Sequence, residues 1–157
     1  MRFSFLALAA LAAMLAACSS ESPAPAAKAQ PAAPVKPADE TRHLPKENLV
    51  DSKVVDTALL GKSFMPGGTL AHYKNGSREY DMFVAKLPSA TDAAILLPDW
   101  SAALADSKLE PGFGGYYGLD AGRPVFVFTK GTWIAGVAGL AEKDADREAR
   151  ILASNLN

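Results

Sequence analysis

The chain has 157 residues, 16 Lys and Arg against 17 Asp and Glu, and a net charge of −1, with the two signs interspersed. That balance excludes a basic nucleic-acid-binding surface and an acidic calcium store. A single cysteine, Cys18, excludes a disulfide within the chain, and the part rich in large apolar residues, about 115 residues long, suffices for one small domain with one core.

The chain opens on Met1 and Arg2, and an apolar run of Phe, Leu, Ala and Met then extends to Ala17. A run of about 15 residues is too short to span a bilayer, which takes about 20, and it ends in small residues as a cleaved secretory signal does. Leu15-Ala16-Ala17-Cys18 matches the lipobox of bacterial lipoproteins. The resemblance implies that residues 1–17 are a signal peptide, that Cys18 becomes the lipidated N-terminus, and that the first partner of the mature chain is a membrane. Ser19 follows, instead of the aspartate that commonly retains Gram-negative lipoproteins in the inner membrane. The expected place is therefore the cell envelope, anchored in the outer membrane and facing the periplasm.

Residues 18–42 are expected to form the lipidated cysteine and a disordered tether. Five of the 11 prolines lie here (Pro23, Pro25, Pro31, Pro34, Pro37), whereas all 12 glycines come at Gly61 or later. With few large apolar groups to offset its ordering entropy, the segment favours extended polyproline geometry. At about 3.1 Å per residue it can hold a domain up to about 75 Å from the anchor.

The remaining residues, 43–157, read as one globular domain. Over residues 44–60, Leu49, Val50, Val54, Val55, Ala58, Leu59 and Leu60 mix helical spacing with a β-branched pair, which leaves helix and strand both open. Asn75-Gly76, between residues 69–74 and 77–87, is the preferred pair for a two-residue type I′ hairpin loop. That loop sets Tyr73 opposite Arg78 and His72 opposite Glu79. Alternation then turns Ala71, Tyr73, Tyr80, Met82 and Val84 to the core and His72, Lys74, Glu79 and Asp81 to water. Ser89 or Thr91 caps a helix that Pro98 kinks or breaks, with residues 101–106 as a second helical piece. Strands follow over 113–119, 124–129 and 132–139, and an amphipathic helix over about 141–156 carries Ala145, Ala149, Leu152 and Leu156 on one side and an Asp146–Arg150 pair on the other. The order ββ-α-βββ-α predicts an α+β fold, an antiparallel sheet of about five strands with its helices mainly on one face.

From Thr69 onward the layout also resembles an uncharacterised family of small bacterial envelope proteins. The likeness is carried by Thr91-Asp92-Ala93-Ala94, Gly114-Gly115-Tyr116-Tyr117 and Phe128-Thr129-Lys130-Gly131. It implies no catalytic residue.

Chemical motifs are few. Asp56 to Ser63 approximates a phosphate-binding loop but has a carboxylate in place of the first glycine, and Gly112 to Gly118 has Tyr117 where a dinucleotide fingerprint needs its last glycine. Asp92, Asp99 and Asp106 repeat at seven residues, but Pro98 interrupts any common helical face. His43 and His72 are the only histidines. Without a nucleophile elbow or a metal-ligand cluster, neither a catalytic residue, a metal nor a cofactor is expected. The sequence thus points to a non-catalytic binding or structural module; the alternative is a small periplasmic hydrolase with His72 as general base, oriented by Glu79. With a Lys130-Gly131 loop, Val125, Val127 and Ile134 line one sheet face and Phe126, Phe128, Trp133 and Val137 the other. The aromatic face is expected either to be closed by residues 49–60 or to stay partly open, with Tyr116 and Tyr117 at its edge, as a groove for an apolar ligand or another envelope protein.

Overall fold

The computed structural model describes residues 36–157. The expected signal peptide, Cys18 and most of the expected tether lie outside the described residues. The chain forms β1 (Leu49–Thr57), β2 (Pro66–Asn75), β3 (Arg78–Lys86), α1 (Ala90–Ala103), β4 (Ala105–Glu110), β5 (Gly115–Asp120), β6 (Arg123–Lys130), β7 (Trp133–Ala138) and α2 (Glu142–Asn155). The class is α+β. All seven strands join one antiparallel sheet in the order β1-β2-β3-β7-β6-β5-β4. The first three strands form a meander, α1 carries the chain to the far edge, and the last four return so that β7 pairs with β3.

Two strands exceed the five expected, and both are edges. β1 contains Asp51, Ser52, Lys53 and Asp56 and is largely exposed. β4, Ala-Asp-Ser-Lys-Leu-Glu, overlaps the segment expected to be a second helical piece. An edge strand needs no continuous apolar face and is protected by charge, so neither carries the alternation that marks a strand in sequence. α1 instead runs unbroken through Pro98. Pro98 has no N–H to bond the Ala94 carbonyl, but both residues are exposed, so water can take that carbonyl's place. Ser89 caps the helix, accepting from the Asp92 amide at 3.1 Å and donating to the Asp92 carboxylate at 2.7 Å.

Nor do the helices share a face. β3, β6 and β7 are apolar on both sides, so each side needs its own cover. Trp100 and Leu104, at the end of α1, pack with Phe83, Ala85, Val125, Val127 and Ile134. Ala145, Ala149 and Leu152 of α2, with Leu156 behind them, pack with Tyr73, Tyr80, Met82, Phe126, Phe128, Trp133 and Val137. The grouping of residues by sheet side expected for β2, β3, β6 and β7 holds, but the side carrying His72 and Asp81, expected to meet water, is half-buried at those residues and closed by α1 over Phe83 and Ala85.

The registers differ from expectation, by an amount that leaves the faces intact. Asn75 pairs with Arg78 and Lys130 with Trp133, so the loops are Gly76-Ser77 and Gly131-Thr132. In each, the glycine comes first and alone takes positive φ, +63° and +56°, as a type II′ turn requires. Moving a loop by one residue shifts every partner by two, and a shift of two preserves the side of the sheet. The observed register places Tyr73 against Tyr80, their stacked rings 5.2 Å apart, and Lys74 against Glu79 at 2.7 Å. Both are favourable cross-strand pairs that the other register would lose.

The folded body starts before residue 43. The Glu40 amide donates to Thr69 Oγ1 at 2.9 Å, Leu44 is buried in the α2-side core, and the His43 ring lies 2.8 Å from the Asn155 carbonyl through Nδ1.

Candidate ligand cleft

The aromatic residues singled out in the sequence do not make one open groove. Phe126, Phe128 and Trp133 are 0%, 1% and 2% exposed. What closes them is α2; residues 49–57 form an edge strand and do not cross the face. Tyr116 and Tyr117 are half-buried and, as neighbours in a strand, diverge. Tyr116 packs on the α1 side and Tyr117 on the α2 side, where its hydroxyl lies 3.4 Å from the Leu140 carbonyl. Burial pushes the Tyr117 phenol up, reinforced by the nearby Glu142 carboxylate. Phe126 and Phe128, two apart on β6, remain neighbours; Trp133 instead meets His43 at 4.8 Å and the Lys86 ammonium at 5.2 Å.

One end of this covered face stays accessible. Where β6 ends beside the last turns of α2, a cleft of about 420 Å³ is lined by Phe113, Phe128, Thr129, Lys130, Arg150, Ala153 and Ser154. Phe113 sits on the four-residue loop between Glu110 and Gly115. The amides of Phe113 and Gly114 both donate to the Glu110 carbonyl, at 3.0 and 2.8 Å, and Gly114 turns the chain with φ +74°. This folds the Phe113 ring back onto Phe126 and Phe128, 5.5 and 4.7 Å between centroids. The ring becomes a wall standing on a buried aromatic floor.

Two cations complete the cleft. Arg150 lies over the Phe113 ring at 5.0 Å while its Nε and Nη2 donate to Asp146 at 3.0 and 2.9 Å. The bond to Asp146 raises the guanidinium further above its ordinary range. Lys130 Nζ donates to the Ala153 carbonyl at 2.6 Å, in the last turn of α2, where the helix dipole favours a cation. Neither Phe113 nor Lys130 stood out in sequence as a site residue, and Arg150 did so only through its spacing from Asp146. The cleft unites a loop, a hairpin and a helix end, so no sequence spacing could reveal it.

His72 has a different partner from the one expected. Its Nδ1 lies 2.8 Å from Asp81 Oδ1, while Glu79 pairs with Lys74. Arg123 Nη2 holds the other Asp81 oxygen at 2.9 Å. His72 and Asp81 line a recess of about 250 Å³ together with Asp51, Lys53 and Leu70, with no serine, threonine or cysteine among them. Among the described residues no three His, Cys, Asp or Glu side chains are grouped to hold a metal ion. The near-miss phosphate loop is the end of β1 followed by a left-handed turn at Ala58, Leu60 and Gly61, with Leu59 buried in a single 3₁₀ turn that leads into β2 and not into an α-helix.

Comparison with known proteins finds no matching family model, no similar curated protein and no similar solved structure.

Proposed function

We propose that the protein is an envelope lipoprotein, anchored through Cys18 in the outer membrane, whose tethered domain is a non-catalytic binding module with its ligand site in the Phe113–Phe128–Arg150 cleft. The observation that carries this reading is a concave aromatic surface with convergent polar groups, in which the half-buried Phe113 ring stands on the buried Phe128 beside Lys130 and Arg150. Its volume falls within the range of about 300–1,000 Å³ typical of small-molecule sites. A neutral aromatic reporter, N-phenyl-1-naphthylamine, should brighten on binding to the full chain. Phe113→Ala removes one wall and is expected to weaken that binding about tenfold, equivalent to about 1.4 kcal/mol. Equal binding by the variant would place the site elsewhere.

The anchor has its own test. Lipidation at Cys18 supplies several acyl chains, each contributing about 0.8 kcal/mol per buried CH₂, so release from the membrane should be negligible. Cys18→Ser is expected to abolish labelling by radioactive palmitate and to move the protein into the soluble periplasmic fraction. Wild-type protein found soluble and unlabelled refutes the anchor.

The His72–Asp81 bond favours a second reading, hydrolysis with His72 as base. A carboxylate on Nδ1 fixes the ring and directs the Nε2 lone pair outward, the arrangement a general base needs. On that reading His72→Gln would lower turnover of ester or phosphate substrates by about 10²- to 10⁴-fold. With no serine, threonine or cysteine in the recess, hydrolysis there would have to proceed through water activated by His72; the aromatic walls and convergent polar groups of the Phe113–Phe128–Arg150 cleft leave binding as the better supported function.

A further inference from the structure

The cleft's charge selects its ligand, and we infer that it takes a small alkyl or aryl carboxylate, with the apolar group against Phe113 and Phe128 and the carboxylate between Lys130 and Arg150. This rests on the cleft being the binding site. Every titratable side chain that lines it is a cation, and no carboxylate lines it. Among the described residues no Asp or Glu lies within ion-pair distance of Lys130; its one bond goes to a backbone carbonyl, which leaves two of its three N–H groups for a ligand. Arg150 gives Nε and Nη2 to Asp146, and its Nη1 group is not used there. Thr129 adds a hydroxyl group among the lining residues, whereas the Ser154 hydroxyl donates to the Ile151 carbonyl at 2.7 Å.

The same features exclude other ligand classes. A cationic ligand would meet the Lys130 ammonium, which has no carboxylate within ion-pair distance among the described residues, and the Arg150 guanidinium, whose charge Asp146 partly offsets. At about 420 Å³ the space is near the lower end of the small-ligand range, so it suits one short chain or ring and not a diacyl lipid. A carboxylate matches the donors well, since ammonium and guanidinium groups make charge-assisted bonds to it.

Three ligands that share one apolar group and differ in charge decide the matter: 4-phenylbutyrate, 4-phenylbutan-1-ol and 4-phenylbutylamine. Each is titrated into the purified full chain in a neutral detergent while the amide resonances of Thr129, Lys130, Arg150, Ala153 and Ser154 are followed. The carboxylate is expected to shift these resonances with at least about tenfold higher affinity than the alcohol, and the amine to leave them unmoved. Raising the salt from about 0.05 to 0.5 M should weaken only the carboxylate. Lys130→Gln retains a donor for the Ala153 carbonyl but removes the charge; it should cost the carboxylate about tenfold and leave the alcohol unchanged. Equal affinity for carboxylate and alcohol, or preference for the amine, overturns the charge selection while the cleft remains a binding site. Failure of all three to shift these resonances overturns both.

Discussion

Gly136→Ala is expected to destabilise the domain by about 3 kcal/mol, the upper end of the usual cost of overpacking, and Gly136→Val to prevent folding. Gly136 lies in the middle of β7, paired with Phe83 on one side and Val127 on the other. A Cβ there would stand 2.2 Å from the Phe126 carbonyl oxygen and 2.5 Å from the Phe83 ring. The ring could turn aside; the carbonyl belongs to a central strand and can move only with it. Because a domain of this size has a total stability of about 5–15 kcal/mol, the alanine variant should fold with a clearly lowered urea midpoint and an unchanged slope. An unchanged midpoint would mean that β6 and β7 are not held this closely.

Trp100→Ala should cost a similar or larger amount, about 3–5 kcal/mol, and should act chiefly on one layer. Only Ala93 and Trp100 are fully buried within α1, with Leu96 and Leu97 half-buried beside them, so Trp100 is the largest side chain fastening that helix. The indole is fully buried, its N–H directed at Met65 Sδ at 3.1 Å, with Phe83 stacked at 5.9 Å and Phe64 edge-on at 5.5 Å. Its loss leaves a large apolar cavity beneath a helix that already gives up one backbone hydrogen bond at Pro98. Hydrogen exchange should then accelerate most at the amides of α1, while α2, fastened by Ala145, Ala149 and Leu152 on the opposite face, keeps more of its protection. Uniform acceleration in both helices would show that the two cores unfold as one unit. Trp100→Phe keeps most of the apolar volume and should recover most of the stability.

Local chemistry in the sequence was enough for the α+β class, for a cap at Ser89 or Thr91 of which the structure uses Ser89, for the extent of α2 to within a residue at each end and for the side of the sheet taken by the residues assigned in β2, β3, β6 and β7. Side-chain period and capping are properties of a few adjacent residues, and the period survives a loop displaced by one position. Loop register itself was decided by contact across the hairpin, where Tyr73 meets Tyr80 and Lys74 meets Glu79. β1 and β4 could be recognised only by their partners, because a polar edge strand is defined by the backbone beside it. The placement of the helices followed from three strands apolar on both sides, a demand that local pattern reveals without saying which helix answers it. For the same reason the aromatic residues of β6 and β7 became core beneath α2. The cleft and the His72–Asp81 pair exist only because Phe113, Lys130 and Arg150, or residues on two strands, are brought together by long-range packing, and spacing along the chain has no record of that.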